Sequence, residues 1–180
     1  MTVTQQKGNY AFIDGINLHL TFKNVGWELD YSKLRTYLSK RHNVIVAYYF
    51  LGFMRENQKI YDGLTSYGYT LKSRDISKKL IDEKGCPYCG KCISPEHVKT
   101  KCDSDADLVL HVMDNFNKFD KAIIITSDGD FDNLIRKLLQ EDKLKTILAP
   151  CTKGCSQLLK NASLGRIEFL DNFKNELEKF

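Results

Sequence analysis

The sequence predicts an α/β fold in which a mostly parallel central sheet is covered by helices on both faces, a three-layer sandwich. Three observations predict it. The apolar runs in Tyr10–Asp14 and Ala122–Ile125 show no polar alternation, as in strands buried on both faces. Each run stops at an acidic or hydroxyl-bearing turn. Segments with apolar residues at helical spacing separate one such run from the next, which is the pattern of parallel strands joined by crossover helices.

Taken in order, the first strand is Tyr10–Asp14, followed by Gly15-Ile16-Asn17. Trp27–Tyr31 reads as a connection, and Asp30 caps a helix that carries Leu34, Tyr37 and Leu38 on one face. Asn43–Gly52, dense in β-branched and aromatic residues, is a buried strand. Asn57–Tyr67 is a helix ended by Gly68, and Tyr69–Ile76 is a more polar strand nearer an edge. Residues 77–102 break the rhythm with four of the six cysteines and two of the three prolines, so they are read as a small Cys-rich insertion. Ala106–Phe116 is a helix, and the strand Ala122–Ile125 leads through Thr126-Ser127-Asp128-Gly129-Asp130 into a helix bearing Phe131, Leu134, Ile135, Leu138 and Leu139. Leu144–Ala149, Ser156–Asn161, Ile167–Leu170 and Asp171–Lys179 complete the chain as strand, helix, strand and helix. Residues 8–180 thus form a single domain interrupted by the insertion.

Length and composition agree with this. A chain of 180 residues with 42% hydrophobic and 28% charged residues suits one globular domain. There is no apolar run of membrane-spanning length, and MTVTQQKGNY lacks the apolar core of a signal peptide, so a cytoplasmic location and no membrane partner are expected. The net charge of +4 permits a nucleic-acid partner without requiring one. Six cysteines without a secretion signal point to metal binding or free thiols before disulfides.

The acidic residues carry the chemistry. Asp128 or Asp130 alone would be a helix cap. Three acidic residues within five positions, Asp128, Asp130 and Asp132, exceed what one cap needs. Asp14 lies at another strand end, and Asp105 lies at the start of the helix that leads into the central strand. In a parallel sheet these places share one edge, where ligands bind. Converging carboxylates suit a hard divalent cation, Mg²⁺ or Mn²⁺. Such an ion activates water and stabilises charge on a phosphate, so phosphodiester hydrolysis is the natural reaction class. Asp103-Ser-Asp-Ala-Asp107 begins like a calcium loop but has Leu108 where the turn needs Gly. A small-phosphate phosphatase of the haloacid-dehalogenase kind is disfavoured, because Ile16 stands where its second Asp is required.

With these residues in place, the chain resembles the NYN domains, a branch of the PIN-like nucleases. FIDGINL is similar to their first motif, with Asp14 and Asn17 in matching positions; KCDSDADLVLHVM is similar to the middle motif, with Asp105 on the acidic position; TSDGDF is similar to SGDxDF, with Asp128 and Asp130 matching. The likeness runs from about Tyr10 to Phe173 and implies a Rossmann-like, PIN-like sheet and a metal-dependent ribonuclease, an endoribonuclease, acting on RNA. In that reading Asp14, Asp105, Asp128 and Asp130 hold Mg²⁺ or Mn²⁺. Asn17, Thr126, Ser127 and Lys101 meet phosphate or water. Cys102 and Ser127 replace glycines of the pattern, which keeps open a catalytically weak RNA- or protein-binding module of the same fold. A homodimer is compatible with either reading.

Cys86-Pro-Tyr-Cys89-Gly-Lys-Cys92 has the form of a zinc knuckle. Cys86, Cys89 and Cys102, with His97 or Cys92 as fourth ligand, would hold a structural Zn²⁺; free thiols and an iron–sulfur cluster are the alternatives. Such a site would lie close to Asp105, and Lys78, Lys79, Lys84, Lys91 and Lys99 would bring positive charge there. Cys151 and Cys155 are read as ordinary loop residues, and Tyr48, Tyr49, Phe50 and Phe53 as core rather than base-stacking groups.

Overall fold

The structure, a computed structural model, describes residues 8–75, 77–80, 98–101 and 104–179. Eight strands and seven helices are assigned among them: β1 (Asn9–Asp14), α1 (Gly15–Asn24), α2 (Tyr31–His42), β2 (Val44–Phe53), α3 (Gln58–Ser66), β3 (Thr70–Asp75), β4 (Ser77–Leu80), β5 (Val98–Lys101), α4 (Asp105–Asp114), β6 (Ala122–Ile125), α5 (Asp132–Gln140), β7 (Leu144–Ala149), α6 (Gln157–Ala162), β8 (Ile167–Phe169) and α7 (Lys174–Leu177).

Six strands form one sheet in the order β3-β2-β1-β6-β7-β8, and every pairing in it is parallel. The unbroken apolar runs follow from burial on both faces. Ala11, Ile13, Ile123 and Ile125 pack into the core that also holds Leu18, Leu34, Leu38 and Leu64 of α1, α2 and α3. Phe12, Ala122 and Ile124 face the opposite core, with Leu108, Val112, Leu134, Ile135, Leu138 and Leu159 of α4, α5 and α6. Alternate residues of one strand therefore serve opposite layers, and both sets must be apolar. Tyr49 and Phe50 are buried in these cores, and β3 is an edge strand, both as the sequence indicates.

Three features depart from the sequence reading. Helix α1 starts directly at Gly15, with Asp14 as its cap. At the chain end, a 3-10 turn over Leu170–Phe173 precedes a helix of only four residues, Lys174–Leu177. Within the expected insertion, β4 and β5 pair antiparallel outside the main sheet. Cys86, Cys89, Cys92, His97 and Cys102 lie outside the described residues, as does the zinc site expected of them. No helix among the described residues is long and apolar enough to cross a membrane.

Candidate active site at the carboxyl edge of the sheet

Strand order changes direction between β1 and β6, so the two crossovers leave the sheet to opposite sides there. That switch point is where open α/β sheets bind ligands, beyond the strands' carboxyl ends. The last register pair is Ile13 with Ile125, which brings Asp14 and Thr126 next to each other.

Local folding fixes both. The Asp14 carboxylate caps α1, its Oδ1 accepting from the Asn17 backbone N–H at 3.0 Å. Gly15 is required at the next position: a Cβ there would stand 2.1 Å from Tyr49 Cε1 and 2.5 Å from the Phe50 carbonyl oxygen. The Thr126 hydroxyl donates to Asp14 Oδ2 at 3.1 Å and accepts from the Asp128 backbone N–H at 3.1 Å. Asp128 in turn caps the 3-10 turn over Gly129–Phe131, its Oδ1 accepting from the Asp130 N–H at 3.0 Å. Asn17, in the first turn of α1, closes the arrangement. Its Oδ1 accepts from the Ser127 N–H at 3.0 Å and from the Ser127 hydroxyl at 2.8 Å. The end of β1 and the start of α1 are thus tied to the turn after β6 by side chains of both segments.

Asp14 is 4% exposed, and among the described residues no lysine or arginine pairs with it. Its pKa is raised from 3.8 to about 6. Burial is the largest cause, opposed by the Asn17 amide; the Asp105 charge adds to it, Thr126 opposes it, and the Asp128 charge adds again. Three carboxylates from β1, α4 and the turn after β6 therefore share one electrostatic neighbourhood. Asp105 and Asp128 are half-buried, and Asp130 is exposed on the outer side of the turn. Among the described residues, no group of three His, Cys, Asp or Glu side chains is gathered tightly enough to hold a metal ion.

Thr126 and Ser127 both donate their hydroxyl hydrogens inside the protein, to Asp14 and Asn17. Lys101 is the last residue of β5, four positions before Asp105. His111 packs edge-on against Tyr48 and Phe50, with ring centroids at 5.2 and 5.6 Å. Cys151 and Cys155 are buried, free thiols in the loop after β7. The Asn17–Ser127 tie was not legible beforehand; the only hint was a serine where the resembling motif has glycine.

A family model for the NYN domain matches residues 10–168. The chain belongs to the NYN domain family. Among known proteins it is 23% identical over 173 residues to the "Low amplitude and bright protein LabA" of Synechococcus elongatus, covering 93% of this chain and 86% of that one. Among solved structures it is similar to a protein of unknown function from Vibrio parahaemolyticus, with TM-score 0.71 and 17% identity over 98% of this chain and 99% of the other. The latter likeness is one of fold. The NYN match spans all three stretches that carry Asp14, Asp105 and Asp128, and the all-parallel sheet is the nuclease-like fold of that family.

Proposed function

We propose that this NYN domain is a divalent-metal-dependent ribonuclease, an endoribonuclease that hydrolyses RNA phosphodiester bonds at the carboxyl edge. The observation that carries the reading is the buried Asp14 carboxylate, without a basic partner among the described residues and pushed up to about 6, with Asp105 and Asp128 contributing. Capping α1 needs one oxygen acceptor, whereas a buried charge beside two further acids costs stability unless a cation joins it.

The donor set fits a hard cation. All candidate ligands are carboxylate oxygens, and each Asp14 oxygen accepts only one of the hydrogen bonds it has room for. Asp14, Asp105 and Asp128 would hold Mg²⁺ or Mn²⁺, with Asp130 a further ligand or an orienting group. When bound, such an ion supplies water of lowered pKa and neutralises charge on the phosphate under attack. The chain's own part is preorganisation. Thr126 and the Asn17 amide fix both oxygens of Asp14, while Asn17 Oδ1 holds the turn that presents Asp128. Lys101, the last residue of β5, would meet a phosphate in this reading. In the cysteine segment we propose a structural Zn²⁺ on Cys86, Cys89, Cys102 and His97 or Cys92, supported by the CxxC spacing and testable by metal analysis of the purified protein.

The alternative of a catalytically weak binding module draws on Ser127, whose hydroxyl adds a tie that the family's glycine would lack. Labelled RNA incubated with Mn²⁺ or Mg²⁺ decides between them. Metal-dependent cleavage by the wild type that disappears in Asp128→Asn supports the nuclease. RNA binding without cleavage by a folded wild type supports the binding module.

A further inference from the structure

A site built from carboxylates repels the polyanion it is meant to cut, so attraction must come from groups beside it. The structure offers one element suited to that. β4 leaves the carboxyl end of edge strand β3 two residues after Asp75, and β5 ends at Lys101, shortly before Asp105 opens α4. The two-stranded ribbon therefore has its foot at the acidic edge. Its register pairs Ser77 with Lys101, Lys78 with Thr100, Lys79 with Lys99 and Leu80 with Val98. Because strand positions alternate between faces, Ser77, Lys79, Lys99 and Lys101 share one face, and Lys78, Leu80, Val98 and Thr100 share the other. One face thus holds three lysine positions and no acid. Lys79 directly opposite Lys99 is a like-charge pair, which weakens an isolated ribbon. A bound polyanion reverses that cost. On neighbouring β3, Lys72 lies with its Nζ 5.5 Å from the Tyr48 ring centroid, so the basic character begins before the ribbon does.

We propose that the Lys79–Lys99–Lys101 face of the β4–β5 ribbon docks the phosphodiester backbone of RNA and delivers it to the acidic edge. The proposal rests on the ribonuclease reading for its substrate, and it is tested by binding, without turnover. A fluorescein-labelled single-stranded oligoribonucleotide is titrated by anisotropy, with Mg²⁺ and Mn²⁺ omitted from the buffer so that nothing is cleaved, over a series of salt concentrations. In Lys79→Gln/Lys99→Gln, affinity near 0.1 M salt is expected to fall roughly tenfold or more, and the slope of log K against log salt to shrink by about 1.4. Lys78→Gln, on the other face, should leave affinity nearly unchanged. Lys79→Glu turns the cross-strand pair into one of opposite charge, favouring the ribbon, and should nevertheless weaken binding.

Equal losses in Lys78→Gln and Lys79→Gln, or an unchanged salt slope in the double variant, would overturn the proposal. So would competition by polyglutamate as strong as by unlabelled RNA, since the face would then read charge on any acidic chain. Ribbon-dependent binding by a wild type that cleaves nothing would sink the nuclease reading alone. Cleavage with binding indifferent to the ribbon would sink this proposal alone.

Discussion

Two aspartates at opposite ends of the sheet show what each end is for. At the amino edge, Asp142 is exposed and stands between Lys121 at 2.7 Å and Arg166 at 3.7 Å, and these cations hold its pKa below the usual value. At the carboxyl edge, Asp14 is buried, and among the described residues its oxygens meet only neutral donors and its charged neighbours are acids that help push its pKa up. The chain pairs charge where only the fold is served. It leaves charge unpaired, at a cost in stability, where a cation is expected.

The largest effect that would break this contrast is at Gly15. Gly15→Ala forces a Cβ into the Tyr49 ring and the Phe50 backbone, so the carboxyl edge cannot keep its packing. A loss of about 3 kcal/mol, the upper end for overpacking a core, is expected in urea unfolding. A near-normal midpoint would mean the edge is looser than described.

Next comes Asp14→Asn, which removes the buried charge and preserves shape. A carboxyl raised in the folded state resists ionisation there, so metal-free stability falls as pH rises from about 3.8 to about 6 and is level above that window. The variant should lack this fall and be more stable at pH 7–8, by an amount on the order of 1–3 kcal/mol. Thermal melts from pH 4 to 8 read this directly; parallel curves for both proteins would contradict it.

Asn17→Ala removes the acceptor for two Ser127 donors and should cost about 1–2 kcal/mol. Ser127→Gly removes only the hydroxyl bond and should cost less. If the tie positions Asp128, both variants also weaken Mn²⁺ binding, in the same order, as isothermal titration would show. The smallest effect is at the other end: Asp142→Asn should leave the melting temperature nearly where it was, because exposed pairs contribute little and Asn tolerates the left-handed backbone there, φ 49°.

Much of this was legible in the sequence for physical reasons. Strands buried on both faces cannot alternate, so AFID and AIII announced β1 and β6, and the residues ending them announced the edge. Helix α1 escaped because its cap, Asp14, is also a strand end, leaving no separate start signal; Leu18 and Phe22, buried and four apart, were the available clue. Capping and ligand roles were weighed as rivals for Asp128, but one carboxylate has oxygens enough for both. The inward donation by Thr126 and Ser127 needed geometry, since a sequence does not say which way a hydroxyl hydrogen is given. The ribbon escaped because Lys-rich strands lacking an apolar face carry no periodic signal.

The central claim is that the unpaired acid at the carboxyl edge is a cation site, and a Mn²⁺ titration of metal-free protein followed by thermal melting tests it most directly. Mn²⁺ is expected to raise the melting temperature of the wild type and of Asp142→Asn, while Asp14→Asn starts higher and responds little. Equal responses to Mn²⁺ in Asp14→Asn and wild type would contradict it.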